Sequence, residues 1–205
     1  MTVRPSPRVA TVYDRVAGIY DLYTVPMEAL GGRRARQRLL ARATGDVLEL
    51  GIGTGLNLPY YPTGVRLTGV DIAPRMLDRA RRRAAALGRD ATLEVADIED
   101  LPYPDGSFDT VTATCVFCSV ADPVAGLREA ARVLRPTGQV LLYEHVRPLN
   151  PVLGTLTDLL SPLTRRLMGP ALNRRTEDNV AAAGLTMTGV HRRGVWREIV
   201  ATRRP

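Results

Sequence analysis

The stretch Val47-Leu48-Glu49-Leu50-Gly51-Ile52-Gly53-Thr54-Gly55 constrains the fold more than any other, because an apolar, strand-like run passes directly into three glycines at alternate positions. Glycine tolerates positive φ and leaves room for a ligand to lie against the backbone. Twenty positions beyond Gly51, a second apolar run ends in Asp71. In an open parallel sheet both features fall at the carboxyl edge, where an acid can accept hydrogen bonds from both hydroxyls of a ribose. Together they describe a nucleoside pocket. A dinucleotide fits it poorly. Counted from Gly51, the sixth position of a G-x-G-x-x-G loop is Leu56, and Pro59 and Pro62 interrupt the helix that would receive the phosphates.

Beyond this motif, short β-branched or leucine-rich runs alternate with helical patterns, as expected of an α/β fold with a mostly parallel sheet and helices on both faces. Strands are predicted over 47–50, 66–71, 92–96, 110–115 and 139–144. Helices are predicted over 74–87, opened by Pro74 and closed before Gly88, and over 123–134, stopped by Arg135-Pro136. Residues 1–43 read as an N-terminal helical arm. Tyr13, Val16, Ile19, Tyr20 and Tyr23 recur at helical spacing, and Pro26 is expected to open a second helix carrying Arg33, Arg34, Arg36, Arg38 and Arg42. A cofactor-binding core over 44–147 is followed by a proline-punctuated, leucine-rich segment. That segment, 148–184, reads as a helical lid holding Leu153, Leu156, Leu159, Leu160, Leu163 and Leu167. A polar helix over 174–183 leads to an antiparallel hairpin, with strands over 185–190 and 195–202 around His191-Arg192-Arg193-Gly194. A single domain accounts for the whole of 1–205.

At 205 residues, with 45% hydrophobic and 24% charged residues, the chain has enough apolar material for a real core. No apolar run approaches the roughly 20 residues of a membrane-spanning helix. Cys115 and Cys118 alone cannot form a disulfide framework, so a reducing, cytoplasmic setting is expected. As a metal or redox pair they lack a second ligand pair at suitable spacing, and they read as two small apolar residues on opposite faces of a strand end. No metal is expected. Every one of the 28 basic residues is arginine, and the net charge of +7 eases the approach of anionic partners.

The series E-x-G-x-G-T-G, the acid Asp71 and the later Ala96-Asp97-Ile98-Glu99 resemble the class I methyltransferases that use S-adenosylmethionine. The resemblance implies a Rossmann-like, seven-stranded sheet whose antiparallel last strand is tucked between its neighbours. It also implies that Gly51, Gly53 and Gly55 underlie the methionine part of the cofactor and that Asp71 holds the ribose. Ile72 and Met76 would then lie near the adenine, while Asp97 and Ile98 recognise its edge and Cys115 and Val116 bring backbone from the fourth strand. Glu49 and Asn57 complete the implied cofactor-binding set. Tyr20 would lie near the transferred methyl on a covering helix, with His145 and Glu144 as candidates for acceptor binding or proton removal.

Phe117-Cys118-Ser119-Val120, Glu144-His145-Val146 and Asn173-Arg174-Arg175-Thr176 are similar to bacterial phospholipid N-methyltransferases acting on phosphatidylethanolamine, and to methyltransferase-like proteins acting on small thiols. The expected acceptor is therefore an aminophospholipid, with a small thiol, another amphipathic molecule, or cofactor binding without turnover as alternatives. The basic helix of 27–42 and the leucine stripe of 153–167 suggest peripheral contact with an anionic inner membrane face. Nucleic acid is not expected, since no aromatic and basic stacking platform is found. The oligomeric state is left open.

Overall fold

Strand β1 (Asp46–Leu50) sits near the middle of the sheet, flanked in parallel by β2 (Arg66–Asp71) and β4 (Phe108–Thr114). Val47, Leu48 and Leu50 are wholly buried, as a strand covered on both faces requires. In this computed structural model, which describes residues 7–167 and 169–204, β3 (Thr92–Val95) lies outside β2 and β5 (Leu134–His145) beside β4. The antiparallel pair β6 (Leu185–Arg193) and β7 (Trp196–Arg203) completes the order β3-β2-β1-β4-β5-β7-β6, with β7 inserted between β5 and β6. Strand order reverses between β1 and β4, the place where such sheets open a crevice at their carboxyl edge. The expected Rossmann-like architecture is present.

Alternate residues of β1 feed two cores. Val47 packs with Leu39, Leu40 and Leu77 from α3 (Arg33–Leu40) and α4 (Pro74–Ala86). Leu48 and Leu50 join Phe117, Leu127 and Val180, the last two from α5 (Pro123–Val133) and α7 (Thr176–Ala182). Helix α5 starts where Asp122 Oδ1 accepts from the N–H groups of Val124 and Ala125, both at 3.0 Å, and its proline occupies the first turn without losing a bond.

The N-terminal arm differs from expectation. It forms α1 (Pro7–Val16) and α2 (Tyr20–Met27), separated by a break at residues 17–19. Pro26 lies in the last turn of α2 and opens nothing, and a wide five-residue turn, Glu28–Gly32, leads into α3. Gly31, with φ of 119°, makes that turn affordable to the backbone. At the other end, β6 runs on through His191-Arg192-Arg193, which pair with β7, so the turn is only Gly194-Val195.

The leucine-rich segment is one 17-residue helix, α6 (Pro151–Leu167), begun by Asn150 Oδ1 accepting from Val152 and Leu153. Leu153, Leu156, Leu159 and Leu163 are exposed, Leu159 by 76%. No helix among the described residues is long and apolar enough to cross a membrane. Residues 1–6 of the arm and the side chains of Tyr23 and Leu167 lie outside the described residues.

Candidate active site

The chain leaves β1 in a bend that hooks back to β2 through the Ile52 N–H and the Val70 carbonyl at 2.9 Å. Gly51, at φ 60°, presses against Val116, since a Cβ there would stand 2.7 Å from Val116 Cγ2. Gly53, at φ 58°, faces open space instead, with nothing nearer than the Gly51 carbonyl at 4.0 Å. Asp71, at the end of β2, locks this shape: Oδ2 accepts from the Gly53 N–H at 2.8 Å and Oδ1 from the Ala73 N–H at 2.9 Å. Burial pushes its carboxyl up to about 6. Each oxygen keeps a further lone pair for a hydroxyl.

A crevice runs along the carboxyl edge from this bend. Gly51, Gly53, Asp71, Ile72, Met76, Asp97, Ile98, Cys115 and Val116, all predicted cofactor residues, line it together. The apolar Ile72, Met76 and Ile98 suit a flat purine, and the two acids stand where hydroxyl and amino donors would meet them. Three predicted members lie outside it. Gly55 packs on Leu58 and Ala80, while Glu49 and Asn57 are buried beneath the bend. Helices α1 and α2 contribute Val9, Tyr13 and Tyr20 as the far wall and leave a narrow space of about 90 Å³.

Behind the crevice opens a larger, mostly apolar cavity of about 650 Å³, whose described lining includes Val16, Ile19, Met27, Pro170, Leu172 and Trp196. Tyr13, Tyr20 and Cys115 line both spaces and mark the point where they meet. Exposed Ile19, beside exposed Leu22, and Thr157 of α6 belong to its rim. Both cysteines face this cavity. The strand ends at Thr114 and Cys115 takes φ 57°, so the opposite-face rule for strands does not govern the pair. Burial pushes the Cys115 thiol up to about 12, which keeps it protonated.

The predicted proton-handling residues separate. Glu144 lines neither space: it is fully buried, and its Oε1 accepts from the N–H groups of Val116 at 2.8 Å and Phe117 at 3.1 Å. It is thus a backbone clamp, corrected from the expected acceptor contact because its neighbours close around it. His145 lines the larger cavity, edge-on to Trp196, and burial pushes its imidazole down. It is neutral near pH 7. Burial raises the Tyr20 phenol, so it stays protonated and serves as a donor.

Two polar networks that the sequence reading missed hold the site. Arg36, buried on α3, donates to Glu28 at 2.9 Å, Asn57 at 2.7 Å and Thr114, and Asn57 donates to Glu49 at 2.6 Å. Burial raises Glu49 to about 7. The expected row of surface arginines over 27–42 therefore loses Arg36 to the interior, and Arg38 pairs with Glu198. Asp21 of α2 accepts from the Thr54 hydroxyl at 2.6 Å and from Arg83 at 2.6 Å, fastening α2 to the glycine bend.

A family model described as a methyltransferase domain matches residues 48–142. The phosphatidylethanolamine N-methyltransferase of Cereibacter sphaeroides is 38% identical over 139 residues, which are 67% of this chain and 68% of that protein. A demethylmenaquinone methyltransferase of Deinococcus radiodurans is 38% identical over 155 residues, 72% of this chain and 64% of that one. Among solved structures, an S-adenosylmethionine-dependent methyltransferase of Thermotoga maritima shares the fold with a TM-score of 0.72 at 21% identity, covering 95% of this chain and 99% of that chain.

Proposed function

This chain belongs to the family of S-adenosylmethionine-dependent methyltransferases, and from that premise we propose that it methylates the amine of a lipid-borne acceptor, an aminophospholipid such as phosphatidylethanolamine. The observation that carries the reading is the 650 Å³ apolar cavity that meets the cofactor crevice at Tyr13, Tyr20 and Cys115. Its rim adjoins exposed apolar residues of α2 and α6, a surface suited to an interface between water and lipid.

The residues present fit the donor. The open space over Gly53 is a cradle that a Cβ would fill, Asp71 has spare lone pairs for a ribose, and Asp97 with Ile98 stands at the adenine end. S-adenosylmethionine supplies, when bound, a methyl group already activated on a sulfonium. Ligand pockets commonly span roughly 300–1,000 Å³. Helix α1, held by the Tyr13–Ser119 hydroxyl contact and by Asp14 accepting from the Arg75 N–H at 3.0 Å, closes the far side of the crevice and leaves less room than that.

An amine attacks only in its unprotonated form. No carboxylate or arginine is among the described residues lining the larger cavity, so the protein offers a charged ammonium no anionic partner there and burial favours the neutral amine. Neutral His145 takes the proton released from nitrogen, while Tyr20 donates toward the junction and helps exclude water. Alignment of acceptor and donor supplies the rest, an effect worth on the order of 7 kcal/mol or more.

A second reading, methylation of a ring carbon in a lipid-soluble quinol, draws on the aromatic walls Tyr13, Tyr20 and Trp196 and on the quinone-related relatives. Incubation with methyl-labelled S-adenosylmethionine and separate vesicles of phosphatidylethanolamine or a demethylated quinol, beside a small thiol in solution, decides between them. Label in the aminophospholipid supports the proposal. Label confined to the quinol or the thiol replaces it, and no label despite cofactor binding leaves a cofactor-binding protein.

A further inference from the structure

Between α1 and the end of α6 lies a further cavity of about 950 Å³, which shares Val9, Ser119 and Ala121 with the donor crevice. Arg15 enters it from α1 and Arg165 and Arg166 from the last turn of α6, above a floor that includes Ser119, Ala121 and Gly169. None of its described lining residues is acidic, and none of the three arginines has an ion-pair partner among the described residues. Other arginines of the chain are also without an ion-pair partner among the described residues; what distinguishes these three is that they line one cavity from two different helices.

Cations in a last helical turn meet the negative end of the helix dipole, which accounts for Arg165 and Arg166 taken alone. It does not account for Arg15, which reaches the same space from another helix. Close by, the Arg174 Nε is buried with no hydrogen-bond partner, and burial together with the charge of Arg165 lowers its guanidinium. Asp122 and Glu144 act on Arg174 from elsewhere, and neither lines the cavity.

We propose that this cavity binds a phosphate group, gripped by Arg15, Arg165 and Arg166. Guanidinium groups that line one cavity from two helices suit the several oxygens of a phosphate ester, each offering paired N–H donors. The chemistry is shared by a free phosphoester and by the headgroup of an anionic phospholipid. The three arginines line neither the crevice nor the apolar cavity, although the cavity they line adjoins the crevice at Val9, Ser119 and Ala121.

The test uses the full chain, an Arg15→Gln variant and an Arg165→Gln/Arg166→Gln variant, all exposed positions whose thermal melts should match the parent. Inorganic phosphate is titrated by calorimetry, and flotation is run with phosphatidylcholine vesicles with and without phosphatidylglycerol. The parent should bind one or both probes, and each variant should bind roughly tenfold more weakly or worse. Saturable binding of inorganic phosphate identifies a free phosphoester as sufficient, whereas binding only of phosphatidylglycerol vesicles identifies the headgroup. The proposal is overturned if the parent binds neither probe, or if the variants bind as the parent does.

Discussion

Glu144 Oε1 accepts a hydrogen bond from the Val116 N–H at 2.8 Å, so the acid at the end of β5 fixes the turn at the end of β4 that forms one wall of the crevice. The other carboxylate oxygen, Oε2, is buried without a partner. Glu144→Gln keeps an accepting oxygen and should cost about 1 kcal/mol or less, whereas Glu144→Ala abandons two buried N–H groups and should cost about 2–4 kcal/mol. Urea denaturation measures both. His145→Ala should behave differently, leaving S-adenosylhomocysteine binding intact while turnover falls about tenfold or more. Unchanged turnover would return His145 to a packing role.

Asp21 couples the covering helix to the glycine bend through Thr54 and Arg83. With its side chain 29% exposed, Asp21→Ala should cost about 1–2 kcal/mol and weaken S-adenosylhomocysteine binding. Tyr20→Phe keeps the helix in place, so it should alter turnover far more than affinity. Calorimetry and initial-rate measurements on the two variants check the contrast.

Burial raises Glu49 and Glu144 to about 7 and Asp71 to about 6, so the folded chain retains protons that the unfolded chain has lost. Stability contributed by these groups must therefore decline as pH rises from the ordinary carboxylate range, about 4, toward 7. Arginine hydrogen bonds hold Glu177 and Asp158 below their usual range, and their contribution is lost only as pH falls through those lowered values. His145, pushed down by burial, disfavours the fold below the usual histidine range. The melting temperature should be higher near about pH 5 than near about pH 7.5. A rise across that interval would show that the three buried acids are ionised in the folded chain.

The exposed α6 face allows the proposed lipid docking to be tested apart from folding. Leu159→Glu, at a side chain 76% exposed, should change stability by no more than about 0.5 kcal/mol. It should also reduce recovery with phosphatidylethanolamine vesicles in flotation. Equal recovery of parent and variant would remove α6 from the docking surface.

The donor half of the site was legible because its signals are local. The glycine bend sits at its own strand end, and Asp71 closes the neighbouring strand, so chain order alone sets them side by side. The larger apolar cavity was not legible: Tyr13, Met27, His145, Pro170 and Trp196 converge from separate segments, and only tertiary packing brings them together. Arg36 stands in a run that reads as solvated surface, yet the register of α3 turns it toward Asn57 and Thr114 while Arg33 and Arg34 stay outside. Pro26 looks like a helix start by composition, but the helix around it is set by Asp21 gripping the bend and by the Gly31-Gly32 turn that follows.

The most direct test of the donor site is calorimetric titration with S-adenosylhomocysteine of the parent, Asp71→Ala and Gly53→Ala, each checked for a native melt. The parent should bind it and ignore NAD, and both variants should lose about 100-fold or more in affinity, one through the missing ribose acceptor and the other through a methyl set into the cradle over Gly53. Folded variants that bind as tightly as the parent, or a parent that prefers NAD, would contradict the assignment of this crevice to the methyl donor.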